Sequence, residues 1–337
     1  MRVCDWIANY LYDNGVTNVH GLMGGGSSGL NDGFIKHGKI NYICYHHEQG
    51  AGHAAIGESK FTGKVAVVNP TTGCAGTNCA TSVLNAWQDG VPVVFISGNV
   101  KLDACSAWIN RTKHVNIRKF GVQEHNIVDT YKSMTKMSKF ITSEYDVVRT
   151  IQEAFYVAAE GRPGPVWIDI PSDIQTTMMP AGSLDFVPTK PPKFLFNPLA
   201  IKNSINCSKR PIVLAGYGIR QSNTVEQFRQ FVTKYELPFV STYGARDYMA
   251  DDHPLSIGAV GIKGSRAGNF AMQNADLLII LGSSLGTSVT GYDPRQFSPK
   301  SHKILIDIDR NELDKNIIEI GTKVHIPLKQ FFEAMHE

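Results

Sequence analysis

The sequence contains no apolar run that approaches the roughly 18 residues of a membrane-spanning helix. Its first residues lead directly into a pattern typical of an amphipathic helix, from about Val3 to Asp13, and lack the apolar core of a signal peptide. Both absences favour a cytoplasmic protein that does not associate with a membrane.

Cysteine is scattered and never clustered. The six cysteines include no Cys-x-x-Cys pair, and no histidine stands at a spacing typical of a zinc site. We therefore expect reduced, mostly buried thiols and no metal site built from this sequence.

Charge of either sign is not concentrated in long blocks. The chain has 33 Lys and Arg against 30 Asp and Glu, which gives a formal net charge of +3. The most basic region is residues 101–119. A loop of this kind more often binds an anionic small molecule, or is simply solvated, and less often binds nucleic acid. Nucleic acid is therefore not an expected partner.

The sequence does contain a series of short apolar segments separated by helix-length stretches. They are residues 18–23, 40–45, 64–69, 91–97 and 165–171, followed by 211–215, 237–242, 276–282 and 303–309. Consecutive apolar positions are typical of parallel strands that are covered on both faces. Over 337 residues, this pattern predicts an α/β fold with two doubly wound parallel-sheet domains.

A proline-rich stretch without any hydrophobic period separates the two series. It covers residues 176–199 and predicts a linker between a domain of residues 1–175 and a second of residues 200–337. Residues 100–126 form a long irregular polar stretch, which is expected to be functional or mobile. Asn223 and Glu226 resemble a capping box that opens a helix.

One carboxylate stands at the junction between an apolar segment and a helix of small residues. Glu48 precedes Gly50, Gly52 and Gly57, and each glycine costs a helix about 1 kcal/mol relative to alanine. Close approach of a ligand or another backbone would explain these glycines. The alternative for Glu48 alone is structural, because an acid in the first turn is favoured by the helix dipole.

Two turns at strand ends could bind a ligand. Three glycines at residues 24–26 follow the first apolar segment and could cradle a phosphate, although a tight turn with close packing fits them equally well. Residues 70–78 (PTTGCAGTN) follow a strand at its carboxyl end, where open α/β sheets bind ligands. The three consecutive glycines at residues 24–26 do not have the spacing of a dinucleotide fingerprint.

Taken together, these stretches resemble the thiamine diphosphate-dependent enzymes of the acetolactate synthase type. The resemblance covers nearly the whole chain, in order. It is carried by residues 47–51 (HEQGA), 72–78 (TGCAGTN), 89–98 (DGVPVVFISG), 120–124 (FGVQE), 161–171 (GRPGPVWIDIP), 210–216 (RPIVLAG), 261–264 (GIKG) and 306–309 (IDID). It implies a pyrimidine-binding domain followed by a central domain with a nucleotide-binding-like fold.

The family also has a third, diphosphate-binding domain, marked by Gly-Asp-Gly and later Asn ligands for Mg²⁺. No Gly-Asp-Gly occurs in this sequence. Because the family's cofactor lies between subunits, the resemblance implies a homo-oligomer and a second polypeptide that supplies Mg²⁺ and the diphosphate site. A noncatalytic remnant or regulatory binding module, or an N-terminal piece of a longer enzyme, are the alternatives.

The resemblance assigns roles to individual residues. Glu48 would be the catalytic residue, hydrogen-bonded to a ring nitrogen of the cofactor's aminopyrimidine. The residues expected to bind thiamine diphosphate are Gly25, Thr72, Gly73, Gly76 and Asn78. The residues expected near the substrate are Gln123 and His47.

The resemblance implies a 2-keto acid such as pyruvate as the substrate, which is decarboxylated and joined to an acceptor. The acceptor could be a second keto acid or a keto-sugar nucleotide, or water if the chain is nearer to the ring-diketone hydrolases. FAD is not expected on the central domain, because residues 282–291 lack the Arg and Asp side chains found there in flavin-binding members.

Overall fold

The structure is a computed structural model that describes residues 1–189, 192 and 194–337. The chain divides into two compact units, Met1–Lys190 and Pro191–Glu337. The predicted linker of residues 176–199 includes residues 190, 191 and 193, which lie outside the described part. The predicted domain boundaries therefore stay predictions.

The first unit is built on a parallel sheet. Its strands are β1 Asn18–Gly21, β2 Asn41–Cys44, β3 Ala66–Asn69, β4 Val93–Asn99, β5 Met137–Phe140 and β6 Val166–Pro171. Within residues 1–189 the sheet has six strands in the order β2-β1-β3-β4-β6-β5, all parallel.

Helices pack on both faces of the first sheet, and alternate residues of its strands belong to two separate hydrophobic clusters. The helices are α1 Val3–Asp13, α2 Ser28–His37, α3 Glu48–Thr62, α4 Cys74–Thr77, α5 Ala80–Asp89, α6 Ser106–Lys113, α7 Ile127–Tyr131, α8 Val147–Ala159 and α9 Ser172–Thr176. Val94 and Ile96 of β4 belong to one hydrophobic cluster, and Val93 and Phe95 belong to another. Because strand side chains alternate between faces, the sheet is covered on both sides.

The second unit repeats this plan. Its strands are β7 Pro211–Ala215, β8 Phe239–Ser241, β9 Ser256–Ala259, β10 Leu277–Leu281, β11 His302–Asp307 and β12 Thr322–His325. Its helices are α10 Pro198–Cys207, α11 Gly218–Gln221, α12 Val225–Lys234, α13 Arg266–Asn274, α14 Thr287–Thr290, α15 Arg310–Asp314 and α16 Leu328–His336. The parallel strand order in the described part is β12-β11-β10-β7-β8-β9. The predicted α/β fold with two parallel sheets is confirmed.

Three edge strands lie outside the predicted segments. They are β5 (MSKF), β9 (SIGA) and β12 (TKVH), each four residues long. Each occupies an edge of its sheet and mixes polar with apolar positions, so it carries no continuous apolar run. The stretch of residues 100–126 is also less irregular than predicted, because it contains α6.

The predicted capping box at Asn223 and Glu226 is wrong. Helix α12 begins at Val225 with Thr224 as its N-cap residue, and no side chain caps its first turn. The Thr224 hydroxyl instead donates to the carbonyl of Ile219 at 3.1 Å. Asn223 has a φ of 53°, a left-handed conformation that asparagine tolerates in turns.

A buried carboxylate joins the central strands β4 and β6. Asp169 is 1% exposed, and its two oxygens accept hydrogen bonds from the Ser97 hydroxyl at 2.6 Å and the Asn99 amide at 2.7 Å. Burial raises the pKa of Asp169 to about 7, partly offset by these two hydrogen bonds, and the charge of Glu124 adds to the increase.

This raised pKa predicts a pH-dependent stability. Between the ordinary value near pH ~4 and about pH 7, the folded protein holds a proton on Asp169 that the unfolded chain has released. The free energy of unfolding should therefore fall as pH rises through that window and level off above it. We expect Asp169→Asn to remove this fall, measured as the difference between urea unfolding at pH 5 and pH 7.5. An identical pH dependence in the variant and the wild type would contradict the prediction.

Candidate functional site

The candidate site is centred on the first residue of α3. This helix begins at Glu48, four residues after the end of β2. His47 caps it, because its ring Nδ1 accepts a hydrogen bond from the Gln49 backbone N–H at 3.2 Å. The Glu48 side chain is 7% exposed. The capped turn thus fixes a nearly buried carboxylate at the carboxyl edge of the first sheet.

Among the described residues, one oxygen of the Glu48 carboxylate has a hydrogen-bond donor and the other has none. The Asn78 amide donates to Glu48 Oε2 at 2.9 Å, and the Cys79 thiol lies 3.9 Å from the Glu48 backbone carbonyl oxygen. No donor of the described residues contacts Oε1. A buried carboxylate is normally satisfied by hydrogen bonds or a counter-charge, so Oε1 is suited to a donor or a protonated nitrogen from outside this chain.

The glycines of α3 fall into two groups. A side chain at Gly52 would collide with Ser82, because α3 and α5 pack closely there. Gly57 has open space where its side chain would lie, and the nearest atom to such a group at Gly50 is a Tyr45 ring carbon at 3.9 Å. Contacts within this chain therefore explain Gly52 and leave Gly50 and Gly57 unexplained.

The loop after β3 lies against the loop that contains Gln123. Gly73 has a φ of 44°, and a side chain there would collide with the backbone carbonyl of Gln123. Gln123 itself has a φ of 58° and is exposed. Glycine at position 73 thus allows two segments separated by 50 residues to meet beside the carboxyl end of β3.

A third segment closes against the same loop. Gly25 begins a 3₁₀ turn, Gly25–Ser27, after β1, and nothing lies within 4 Å of where its side chain would be. A side chain at Gly26 would collide with the Thr72 hydroxyl, and one at Gly24 would lie 2.6 Å from the Thr71 hydroxyl. The Thr71 hydroxyl is buried and has no hydrogen-bond partner in the described part of the chain. The turn and the loop form a cradle with an open position at Gly25 and an unsatisfied hydroxyl beside it.

The predicted site residues differ in how far the structure brings them together. Glu48 contacts Asn78, Thr72 lies beside the Gly25–Ser27 turn, and Gly73 lies against Gln123. Two others, His47 and Gly76, make contacts that stabilise the fold itself. His47 caps α3, and Gly76 is buried against Ile127 and accepts a hydrogen bond from the Tyr131 hydroxyl.

Sequence reasoning missed the side chain that holds the Gln123 loop in place. Glu124 is 5% exposed, and its carboxylate accepts hydrogen bonds from the Ser106 hydroxyl at 2.9 Å and the Phe120 backbone N–H at 2.8 Å. It ties the start of α6 to the segment before Gln123. The only sequence signal was its place next to Gln123 in the FGVQE motif.

The described residues contain neither a cluster of metal ligands nor a membrane-spanning helix. No cluster of three or more His, Cys, Asp or Glu side chains there is arranged to hold a metal ion. No helix in the same residues has both the length and the apolar character needed to cross a membrane.

The fold and site define an α/β protein with two parallel-sheet units and a buried carboxylate at a strand-to-helix junction. Comparison with known families identifies the class further. The thiamine pyrophosphate enzyme N-terminal TPP binding domain matches residues 1–126, and the thiamine pyrophosphate enzyme central domain matches residues 200–334. The chain belongs to the thiamine pyrophosphate enzyme family.

Comparison with individual curated proteins also finds similarity to enzymes of this family. The chain is 32% identical to the acetolactate synthase isozyme 1 large subunit of Escherichia coli over 92% of this chain and 53% of that protein. It is 33% identical to the acetolactate synthase large subunit of Lactococcus lactis, over 96% and 54% of the two chains. A probable acetolactate synthase large subunit of Methanocaldococcus jannaschii is 32% identical, over 94% and 53%. The chain spans about half the length of these relatives.

Proposed function

We propose that this chain supplies the aminopyrimidine-binding half of an acetolactate synthase-like enzyme that uses thiamine diphosphate to decarboxylate a 2-keto acid and ligate the product to an acceptor. The observation that carries the proposal is the nearly buried carboxylate of Glu48. One of its oxygens is held by Asn78, and the other has no donor among the described residues.

The residues present fit such a cofactor. The free oxygen of Glu48 can accept a hydrogen bond from a ring nitrogen, as the family resemblance implies. The open position at Gly25, the close approach of Gly26 to Thr72, and the buried Thr71 hydroxyl, which has no hydrogen-bond partner among the described residues, form a polar cradle. Thr72, Gly73 and Asn78 would line the pyrimidine side. When bound, the cofactor supplies the electron sink for decarboxylation of a 2-keto acid.

The chain's own residues would prepare the site in three ways. Asn78 fixes the orientation of the Glu48 carboxylate through its hydrogen bond to Oε2. The nearly buried position of Glu48 limits its contact with water, which would favour exchange of a proton between Oε1 and the bound ring. Gln123 would face the substrate from the loop that Glu124 holds in place.

We further propose that Mg²⁺ and the diphosphate are bound by a second polypeptide, in an assembly that also contains more than one copy of this chain. Two observations support a site outside these 337 residues. The sequence has no Gly-Asp-Gly, and the described residues hold no cluster of three metal-ligating side chains. Two exposed glycines of α3, Gly50 beside the Tyr45 ring and Gly57 in open space, leave room for a neighbouring subunit.

A titration tests the proposed division of the site. Thiamine diphosphate and Mg²⁺ are added to the 337-residue chain alone, and then to its mixture with a polypeptide that carries Gly-Asp-Gly followed by Asn, sought in the adjoining coding sequence. We expect saturable, Mg²⁺-dependent binding only in the mixture. Equal Mg²⁺-dependent binding by the chain alone would contradict the division.

A further inference from the structure

A cleft lies at the amino-terminal ends of the strands of the first sheet, whereas Glu48 lies at the carboxyl-terminal ends. Its walls include Asn14 from the end of α1, Lys64 and Val65 just before β3, and residues of α8. These positions precede the strands, whereas Glu48 and the loop after β3 follow them. Since β3 alone spans about 13 Å at roughly 3.3 Å per residue, the cleft is separate from the candidate site.

The cleft has the size of a small-molecule site and an aromatic lining. Its volume is about 540 Å³, within the usual range of roughly 300–1,000 Å³ for ligand pockets. Four rings line it, from Tyr10, Phe155, Tyr156 and Phe186. Tyr10 meets Phe155 edge to face at 5.5 Å, and Tyr156 lies 5.4 Å from Phe186. A flat aromatic ligand would find both faces and edges of rings to pack against.

A short strap, defined as residues 185–188, forms one wall of the cleft. Both ends of the Gln152 amide hold it to α8. The nitrogen of Gln152 donates to the Asp185 carboxylate at 2.8 Å, and its oxygen accepts from the Phe186 backbone N–H at 2.6 Å. Because these bonds satisfy the amide, the strap is fixed in the position that brings the Phe186 ring against Tyr156, and the wall exists before any ligand arrives.

The charge of the cleft selects for an anion. Among the described residues that line the cleft directly, Lys64 carries a formal charge, and the Asp185 carboxylate at the start of the strap is engaged by the Gln152 amide. No carboxylate of the described chain lies within ion-pair distance of the Lys64 ammonium group, which sits near the Gly15 turn. An exposed ammonium beside an apolar aromatic wall attracts a carboxylate while the rings bury the remainder of the ligand.

We propose that this cleft is a binding site for a small aromatic carboxylate, whose ring packs among Tyr10, Phe155, Tyr156 and Phe186 and whose carboxylate pairs with Lys64. The site is independent of the proposed cofactor function, because none of its residues takes part in the candidate site. Its occupation can be measured without thiamine diphosphate.

Ligand-observed NMR titration of the full 337-residue chain with 4-hydroxybenzoate tests the proposal, with the neutral 4-hydroxybenzamide as the matched probe. We expect saturable binding of the acid that is tighter than that of the amide. Lys64→Gln should weaken binding of the acid about two- to fivefold, as for an exposed ion pair, and leave the amide unchanged. Phe186→Ala should weaken both probes about two- to tenfold through the lost ring contact.

Lys132→Gln is the control, because Lys132 is an exposed lysine of the same unit that does not line the cleft. It should leave the affinity for 4-hydroxybenzoate as in the wild type. Three results would overturn the proposal: equal affinity for the acid and the amide, equal weakening by Lys64→Gln and Lys132→Gln, or no effect of Phe186→Ala in a variant with a native circular dichroism spectrum.

Discussion

Replacing Glu48 by glutamine is expected to lower the rate of 2-keto acid decarboxylation by the completed enzyme about 10²–10⁴-fold, the usual contribution of a positioned proton-transfer group. Glutamine has nearly the same shape, and its oxygen can still accept the Asn78 hydrogen bond that Glu48 Oε2 accepts. Its amide nitrogen, however, would replace the oxygen for which the described residues supply no donor. A nitrogen with two hydrogens cannot accept a hydrogen bond or a proton from a bound ring.

The measurement is steady-state decarboxylation of pyruvate by the chain together with its diphosphate-binding partner. Glu160→Gln is the matched control. Glu160 is an exposed glutamate of the same unit, and its replacement by glutamine removes the same charge. It should retain wild-type activity. Wild-type activity in Glu48→Gln would show that Glu48 is only a helix-start residue favoured by the dipole, as the structural alternative holds.

Replacing Trp167 by alanine is expected to reduce the free energy of unfolding of the first unit by about 3–5 kcal/mol, as for other large buried aromatics. Trp167 is completely buried on β6 and stacks between Phe95 at 5.1 Å and Tyr131 at 4.4 Å. Its indole N–H donates to the Ser97 hydroxyl at 2.9 Å. The substitution leaves a cavity among these rings and removes a partner of Ser97, which itself donates to Asp169.

Urea denaturation of the 337-residue chain provides the measurement. Trp87→Ala is the control, since Trp87 is 41% exposed and its removal leaves no enclosed cavity. We expect it to cost about 1 kcal/mol or less, as for substitutions near the surface. Equal losses for Trp167→Ala and Trp87→Ala would show that the stacked cluster on β6 does not anchor the first unit.

The central strands could be predicted from the sequence because burial on both faces leaves a local trace. β4 and β10 are buried along their whole length; β10 is entirely apolar, and β4 begins with four consecutive apolar residues, Val93–Ile96. The edge strands β5, β9 and β12 leave no such trace, since each pairs on one side only and carries polar residues. Their existence depends on the neighbouring strand that offers hydrogen bonds, which a local pattern does not encode.

The site was predictable in part for a similar reason. The strand-to-helix junction places Glu48 at the carboxyl edge of the sheet, and the junction is a local feature of the sequence. The contacts that orient the Glu48 carboxylate and form the neighbouring loops are made by residues far away in the sequence. Asn78, which holds one of its oxygens, is 30 residues away, and Gly73 meets Gln123 only because the fold brings their loops together. Nothing in the local sequence predicts that Glu124 is buried or that Gly76 packs against α7.

The most direct test of the account is carbon dioxide release from pyruvate in the presence of thiamine diphosphate and Mg²⁺. Three samples are compared: the 337-residue chain alone, the polypeptide with Gly-Asp-Gly alone, and their mixture. We expect release by the mixture only, and loss of that release when the chain carries Glu48→Gln. Decarboxylation by the 337-residue chain alone, at a rate that the second polypeptide does not increase, would contradict it.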